Sequence, residues 1–231
     1  MSSPADWFNG LPKVTRFYLA GAFISTCAVQ LGIVSAELLY LNMTAVFSEL
    51  EIWRLLTNLL FFGGFGLPLV FNLFFLVRYS TQLEQGRFAG KSADYLVCLA
   101  LCALVLTVVA GLMGNVPFLS QSLISSIVYL WARLNPTQPL SMFGLFTVQA
   151  FYFPWVMVAM SVLMGSSPVP NLLGIFAGHV YHFLVDVQGL QLRAPRFLQE
   201  ALNDIPRAPE AQYRGNFGGH AWGNAGRRLG D

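Results

Sequence analysis

The chain has 231 residues, 55% of them hydrophobic and only 10% charged, where a soluble domain carries about 25% charged residues. So little charge cannot clothe a water-facing surface, which excludes an ordinary soluble protein and points to one that lives in lipid. The net charge of +2 says little by itself; its distribution along the chain says more.

Six long apolar runs read as membrane spans. Met1 to Leu11 is polar and mixed, with no small-residue cleavage site, so the first span is expected to act as an uncleaved anchor. Span one covers about Phe17 to Val34. Ser35 to Leu56 mixes Glu37, Glu49, Glu51 and Arg54 with Leu, Tyr, Met, Phe and Trp, which predicts an amphipathic segment lying in the interface. It contains a glycosylation sequon, Asn42-Met43-Thr44, expected to lie too close to lipid for use. Span two is broken by Gly63-Gly64-Phe65-Gly66 and Pro68, leaving Leu67 to Val77 as clean helix that extends to about Leu83. Span three covers Tyr95 to Met113, ended by Gly114-Asn115, and span four covers Pro117 to Leu134, ended by Asn135-Pro136. Span five covers Ala150 to Met164 after an approach from Leu140, and span six covers Asn171 to Val187. At ~20 residues each, six spans use about 120 residues and leave no room for a second folded domain. The expected division is a membrane domain, 1–190, and a polar, disordered cytosolic tail, 191–231.

Charge orients this frame. Lys13, Arg16, Arg78, Arg87, Lys91, Arg133, Arg193, Arg196, Arg207, Arg214, Arg227 and Arg228 all fall on one side, and only Arg54 falls on the other. By the positive-inside rule both termini are cytosolic. The cysteines, Cys27, Cys98 and Cys102, lie inside apolar runs, and an odd count there argues against a disulfide framework.

Four motifs carry candidate chemistry. Gly174 and Gly178, one helical turn apart in span six, let another backbone approach closely, within the protomer or between protomers. His179 and His182 share a helix face, with Asp186 a turn beyond; they read as hydrogen-bonded interior groups or as one wall of a polar groove, together with Asn72 and Gln149. Two histidines and one Asp are too few for a metal site. Ser125-Ser126 invites a serine-protease reading with a histidine of span six, but no Gly-x-Ser-Gly turn surrounds them. Trp53-Arg54 reads from composition as an interfacial anchor.

Taken in order, several segments resemble the Derlin family of rhomboid-like pseudoproteases, over nearly the whole length. They are Asp6-Trp7-Phe8, Ile52-Trp53-Arg54, Asn72-Leu73-x-Phe75-Leu76, Tyr79-Ser80-Thr81-x-Leu83-Glu84 and Ala93-Asp94-Tyr95-Leu96. Tyr129-x-Trp131-Ala132-x-Leu134-Asn135, Pro154-Trp155-Val156 and Gly174-x-x-x-Gly178-His179-x-Tyr181 complete the set. The resemblance implies an all-α, rhomboid-like fold of six transmembrane helices with an embedded first luminal loop, in the endoplasmic reticulum membrane. It also implies a dead enzyme: the catalytic His of active rhomboids lies three residues before the first Gly of the sixth-span motif, and Asn171 stands there. The Derlin tail binds the AAA ATPase valosin-containing protein through a Gly-rich motif. Trp222, Gly223, Gly226, Arg228, Leu229 and Gly230 are similar to it, with Gly-x-x-Gly in place of Gly-x-Gly.

The function so implied is non-catalytic retrotranslocation in endoplasmic-reticulum-associated degradation. Its partners would be misfolded luminal or membrane proteins, the ATPase, a membrane ubiquitin ligase and further protomers in a homo- or hetero-oligomer. No cofactor, metal or nucleic acid is expected. The alternatives are an active intramembrane serine protease, or a self-contained channel or transporter, which would need internal repeats that the sequence does not display.

Overall fold

The computed structural model describes residues 3–114, 116–142 and 146–202. The chain is mostly helical. α1 (Pro4–Asn9) leads into α2 (Lys13–Gln30). The first loop carries two short helices, α3 (Met43–Ser48) and α4 (Arg54–Leu60). The long helices α5 (Leu67–Gln85) and α6 (Ser92–Met113) follow, then α7 (Ser120–Leu134). A hairpin of β1 (Pro139–Met142) and β2 (Phe146–Gln149) precedes α8 (Phe153–Leu163) and α9 (Val169–His182). α9 runs on as a π-helical turn, Phe183–Val187, and α10 (Arg196–Ala201) closes the described chain.

Punctuation in the sequence sets the helix ends. α5 starts at Leu67, just past Gly63, whose φ of +93° few side chains tolerate, and Pro68 sits in its first turn, where a missing N–H costs nothing. α6 stops at Gly114 in the left-handed conformation (φ 71°), the usual helix terminator. By length and composition, α6 is the one described helix long and apolar enough to cross a membrane unaided.

Two features depart from the all-α expectation with its free tail. The approach to span five is a strand pair, with Leu140 opposite Val148 and Ser141 opposite Thr147. Pro136 and Pro139 bar helix there, and the β-branched Thr147 and Val148 suit a strand. The polar stretch after residue 190 is also not free from its first residue. Ala194 is buried, α10 is folded, and the Lys13 ammonium donates to the Leu202 carbonyl. Residues 203–231 lie outside the described residues.

α7 is the central post. It packs against α9, α5, α6, α8 and α4. Trp131, Ile124, Ile127 and Val128 on it are sealed from solvent, and so are the small polar residues Ser122, Ser125 and Ser126. Tyr79 of α5 bridges Trp131 and Phe153 of α8, its ring centre 4.7 Å from that of Trp131 and 5.4 Å from that of Phe153. Small side chains let α9 lie close to this post, and the aromatic rings fill the wider gaps.

Candidate functional site

The contact between α7 and α9 is built from glycines and serines. A Cβ on Gly174 would lie 2.2 Å from the Ser122 carbonyl oxygen and 2.4 Å from Ser125 Cβ. One on Gly178 would lie 2.9 Å from the Tyr129 ring. Both glycines therefore face α7 of the same chain. Ser126 Oγ uses the closeness to donate to the Gly174 carbonyl at 2.9 Å.

At the start of α9 the same closeness holds a buried polar knot around Asn171, which is 1% exposed. Its Oδ1 accepts from Ser125 Oγ (2.8 Å) and Gln121 Nε2 (3.3 Å). Its Nδ2 donates to Ser161 Oγ (2.5 Å) and the Met157 carbonyl (3.2 Å). One amide thus ties α7, α8 and α9 together. The serine hydroxyl that a protease reading needs as nucleophile is donating to an amide oxygen, which cannot take up its proton. Ser125 and Ser126 are both buried, and no described hydrogen bond joins either to a histidine.

The two histidines lie further along α9, towards the end where the basic residues cluster. His179 Nδ1 pairs with the Tyr129 hydroxyl at 2.8 Å. His182 Nε2 faces an Arg133 N–H at 3.3 Å and so accepts, which leaves Nδ1 to donate to Asp186 at 2.6 Å. Asp186 is also gripped in bidentate fashion by Arg87, at 2.9 and 2.5 Å. The Asp186 hydrogen bonds hold the Arg87 guanidinium pKa above its ordinary value, against the opposing effect of burial. This network clamps the ends of α7 and α9 to the α5–α6 connection. Asn72 is half-buried midway along α5, and Gln149 is exposed at the end of β2. No described hydrogen bond links either of them to the histidines. Among the described residues no group of three or more His, Cys, Asp or Glu is placed to hold a metal ion.

The Trp53-Arg54 pair sits in the first loop. Trp53 is half exposed, while Arg54 turns inward. The Arg54 guanidinium donates to the Glu51 carboxylate and to the carbonyls of Glu37 (2.6 Å) and Tyr40 (3.2 Å), and it lies over the Tyr40 ring. One cation with five fixed donors thereby closes a loop with little regular structure. The loop is then pinned to α7: Leu41 N–H donates to Pro117, Leu119 N–H to Asn58 and Ser120 Oγ to Phe61 carbonyls.

Two carboxylates that the sequence shows only within the resembling segments, with no role attached, join distant elements. α2 has only Pro12 before it and no side-chain cap of its own. Glu84 of α5 supplies the cap, accepting from Val14 N–H, Thr15 N–H and Thr15 Oγ at 2.8–2.9 Å. Thr15 continues through Ser80 to the Tyr95 hydroxyl at 2.7 Å per step. Asp94, at the start of α6, accepts the Ala194 N–H at 2.9 Å. The tail residues Trp222, Gly223, Gly226, Arg228, Leu229 and Gly230 lie outside the described residues.

The comparisons agree on one family. The Der1-like family model matches residues 11–201. Derlin-2.2 of Arabidopsis thaliana is 40% identical over 216 residues, covering 87% of this chain and 88% of that protein. Derlin-2 of Oryza sativa is 40% identical, covering 89% and 90%. Derlin-1 of Arabidopsis thaliana is 39% identical, covering 87% and 77%.

Proposed function

This chain belongs to the Der1-like family, and we propose that it is a non-catalytic factor of endoplasmic-reticulum-associated degradation. It moves misfolded luminal or membrane proteins towards the cytosol. It sits in the endoplasmic reticulum membrane as a rhomboid-like domain of six spans, α2, α5, α6, α7, α8 and α9, with both termini cytosolic. The single observation that carries the non-catalytic half is the Ser125–Asn171 pair. An amide occupies the position of the rhomboid base, so the hydroxyl has no proton acceptor, and the site is closed to substrate.

Helix length supports the transport half. At 1.5 Å per residue α7, with 15 residues, is about 22 Å long, and α8, with 11, about 16 Å. A hydrocarbon core is about 30 Å thick. Short helices are accommodated by thinning the bilayer around them, at a cost of fractions of a kcal/mol per Å. Exposed apolar residues of the first loop, Phe47, Leu50, Ile52 and Leu56, suit a loop embedded in the opposite interface. A thinned bilayer lowers the cost of passing polar backbone and charge. Force comes from the cytosol, through the 203–231 tail and the AAA ATPase valosin-containing protein, with a membrane ubiquitin ligase marking the client.

The test is the decay of a misfolded endoplasmic reticulum membrane protein, with synthesis blocked, in cells lacking this chain. Re-expression of the full chain is compared with residues 1–202, which keep the docked α10. Stalled decay restored only by the full chain supports both halves of the transport reading. Restoration by both chains removes the tail from the mechanism, and unaltered decay across several clients removes the transport role. A fluorophosphonate probe is expected to label neither Ser125 nor Ser126; labelling of either reinstates the protease.

A further inference from the structure

α1, α2 and α5 enclose an open groove of about 910 Å³ that none of the contacts described above uses. Its long wall is apolar: Phe23 and Ile24 of α2 face Val70, Leu73 and Phe74 of α5. Its other end is different. Arg78, Thr81 and Gln82 line it there, beneath Trp7 and Phe8 of α1. Arg78 is exposed and forms no ion pair among the described residues. Thr81 Oγ1 is buried and has no hydrogen-bond partner there. Asp6, the acidic residue of α1, is already engaged in the α1 capping box with Ser3.

The groove is therefore amphipathic along its length, and its length is informative. Val70 and Gln82 on α5 are twelve residue steps apart, about 18 Å, close to the ~15 Å depth of one leaflet's hydrocarbon. A transmembrane peptide would need apolar lining across the full thickness and would gain nothing from a cation at one end. A lipid with two acyl chains and an anionic headgroup matches both ends. The polar end lies at the basic end of α5, beside the start of α2, where Thr15 meets Ser80.

We propose that this groove is a binding site for an anionic glycerophospholipid of the cytosolic leaflet, with the acyl chains along α2 and α5 and the phosphate at Arg78. The assignment of the leaflet rests on the membrane reading above. Trp7 and Phe8 cap the glycerol level, as aromatic rings do at interfaces.

The experiment places a photo-crosslinking benzophenone amino acid at Phe74, which is 54% exposed and tolerates bulk. The full chain is put into nanodiscs of equal parts phosphatidylserine and phosphatidylcholine, irradiated, and the adducts are weighed by mass spectrometry. Phosphatidylserine adducts are expected to outnumber phosphatidylcholine adducts by about five to one, the effect of one basic residue on an anionic headgroup. Arg78→Gln is expected to abolish that excess and Arg78→Lys to retain most of it. Adducts that follow mole fraction, adducts to a polypeptide, or an excess that survives Arg78→Gln would each overturn the site. A chain that never enters the disc overturns the membrane reading as well; one that enters but shows no excess overturns this site alone.

Discussion

Glu84 is a buried side chain asked to do a helix terminus's work. Three donors of α2 converge on it, and in a nonpolar setting the two backbone amides would otherwise stand unpaired. Glu84→Gln keeps one acceptor oxygen and adds an unwanted N–H, so it should cost about 2 kcal/mol, read as a lowered midpoint of thermal unfolding in detergent. The glycines of α9 give a second graded pair. Gly174→Ala meets a backbone carbonyl that cannot swing away and should cost about 3 kcal/mol. Gly178→Ala first meets the Tyr129 ring, which can turn, and should cost about 1 kcal/mol. Equal losses for the two would contradict the packing described. These residue-scale facts were unevenly legible. The glycine spacing is local and can be read from the sequence. The Glu84 cap joins residues 70 positions apart and the Asp94 contact residues 100 apart, and no local pattern encodes such partners.

At the scale of elements, α7 is short, rich in serine and buried on every side, while α6 is long, apolar and lipid-like. Hydropathy alone reads both as spans and misses that one is the hub. The helix ends were legible because Gly and Pro act on φ directly. The hairpin before α8 was not, since its short apolar strands look like the run-in of a helix until their pairing is known. His182 and Asp186 were legible as neighbours on one face, whereas Arg87 and Arg133, their partners from other elements, were not. In the first loop Leu50 adopts φ 58° although it is not glycine, and its side chain is exposed. Leu50→Gly relieves that strain and should stabilise by about 1 kcal/mol, seen as a raised unfolding midpoint. A lowered midpoint would mean that the side chain matters more than its backbone.

For the whole molecule, the chain past α9 and its π-helical turn matters to the fold itself. Residues 194–202 return to the start of α6 and to Lys13, joining the last described segment to the first long helices. Residues 1–202 should unfold like the full chain, whereas residues 1–190 should lose about 2 kcal/mol as the Asp94 contact and the packing of Leu192 and Leu202 on the core go. The same unfolding midpoint measures it, and equal midpoints for the two truncations would show that the docked segment contributes nothing.

The cap on α2 also sets a schedule. The ribosome delivers Val14 70 residues before Glu84; on the membrane reading proposed above, α2 would enter the bilayer with its leading amides turned to water and headgroups. It can seat fully only when the end of α5 arrives beside it. Insertion and folding are in this way separate events: the first helix waits, upright but unfastened, until the second long helix closes over its head.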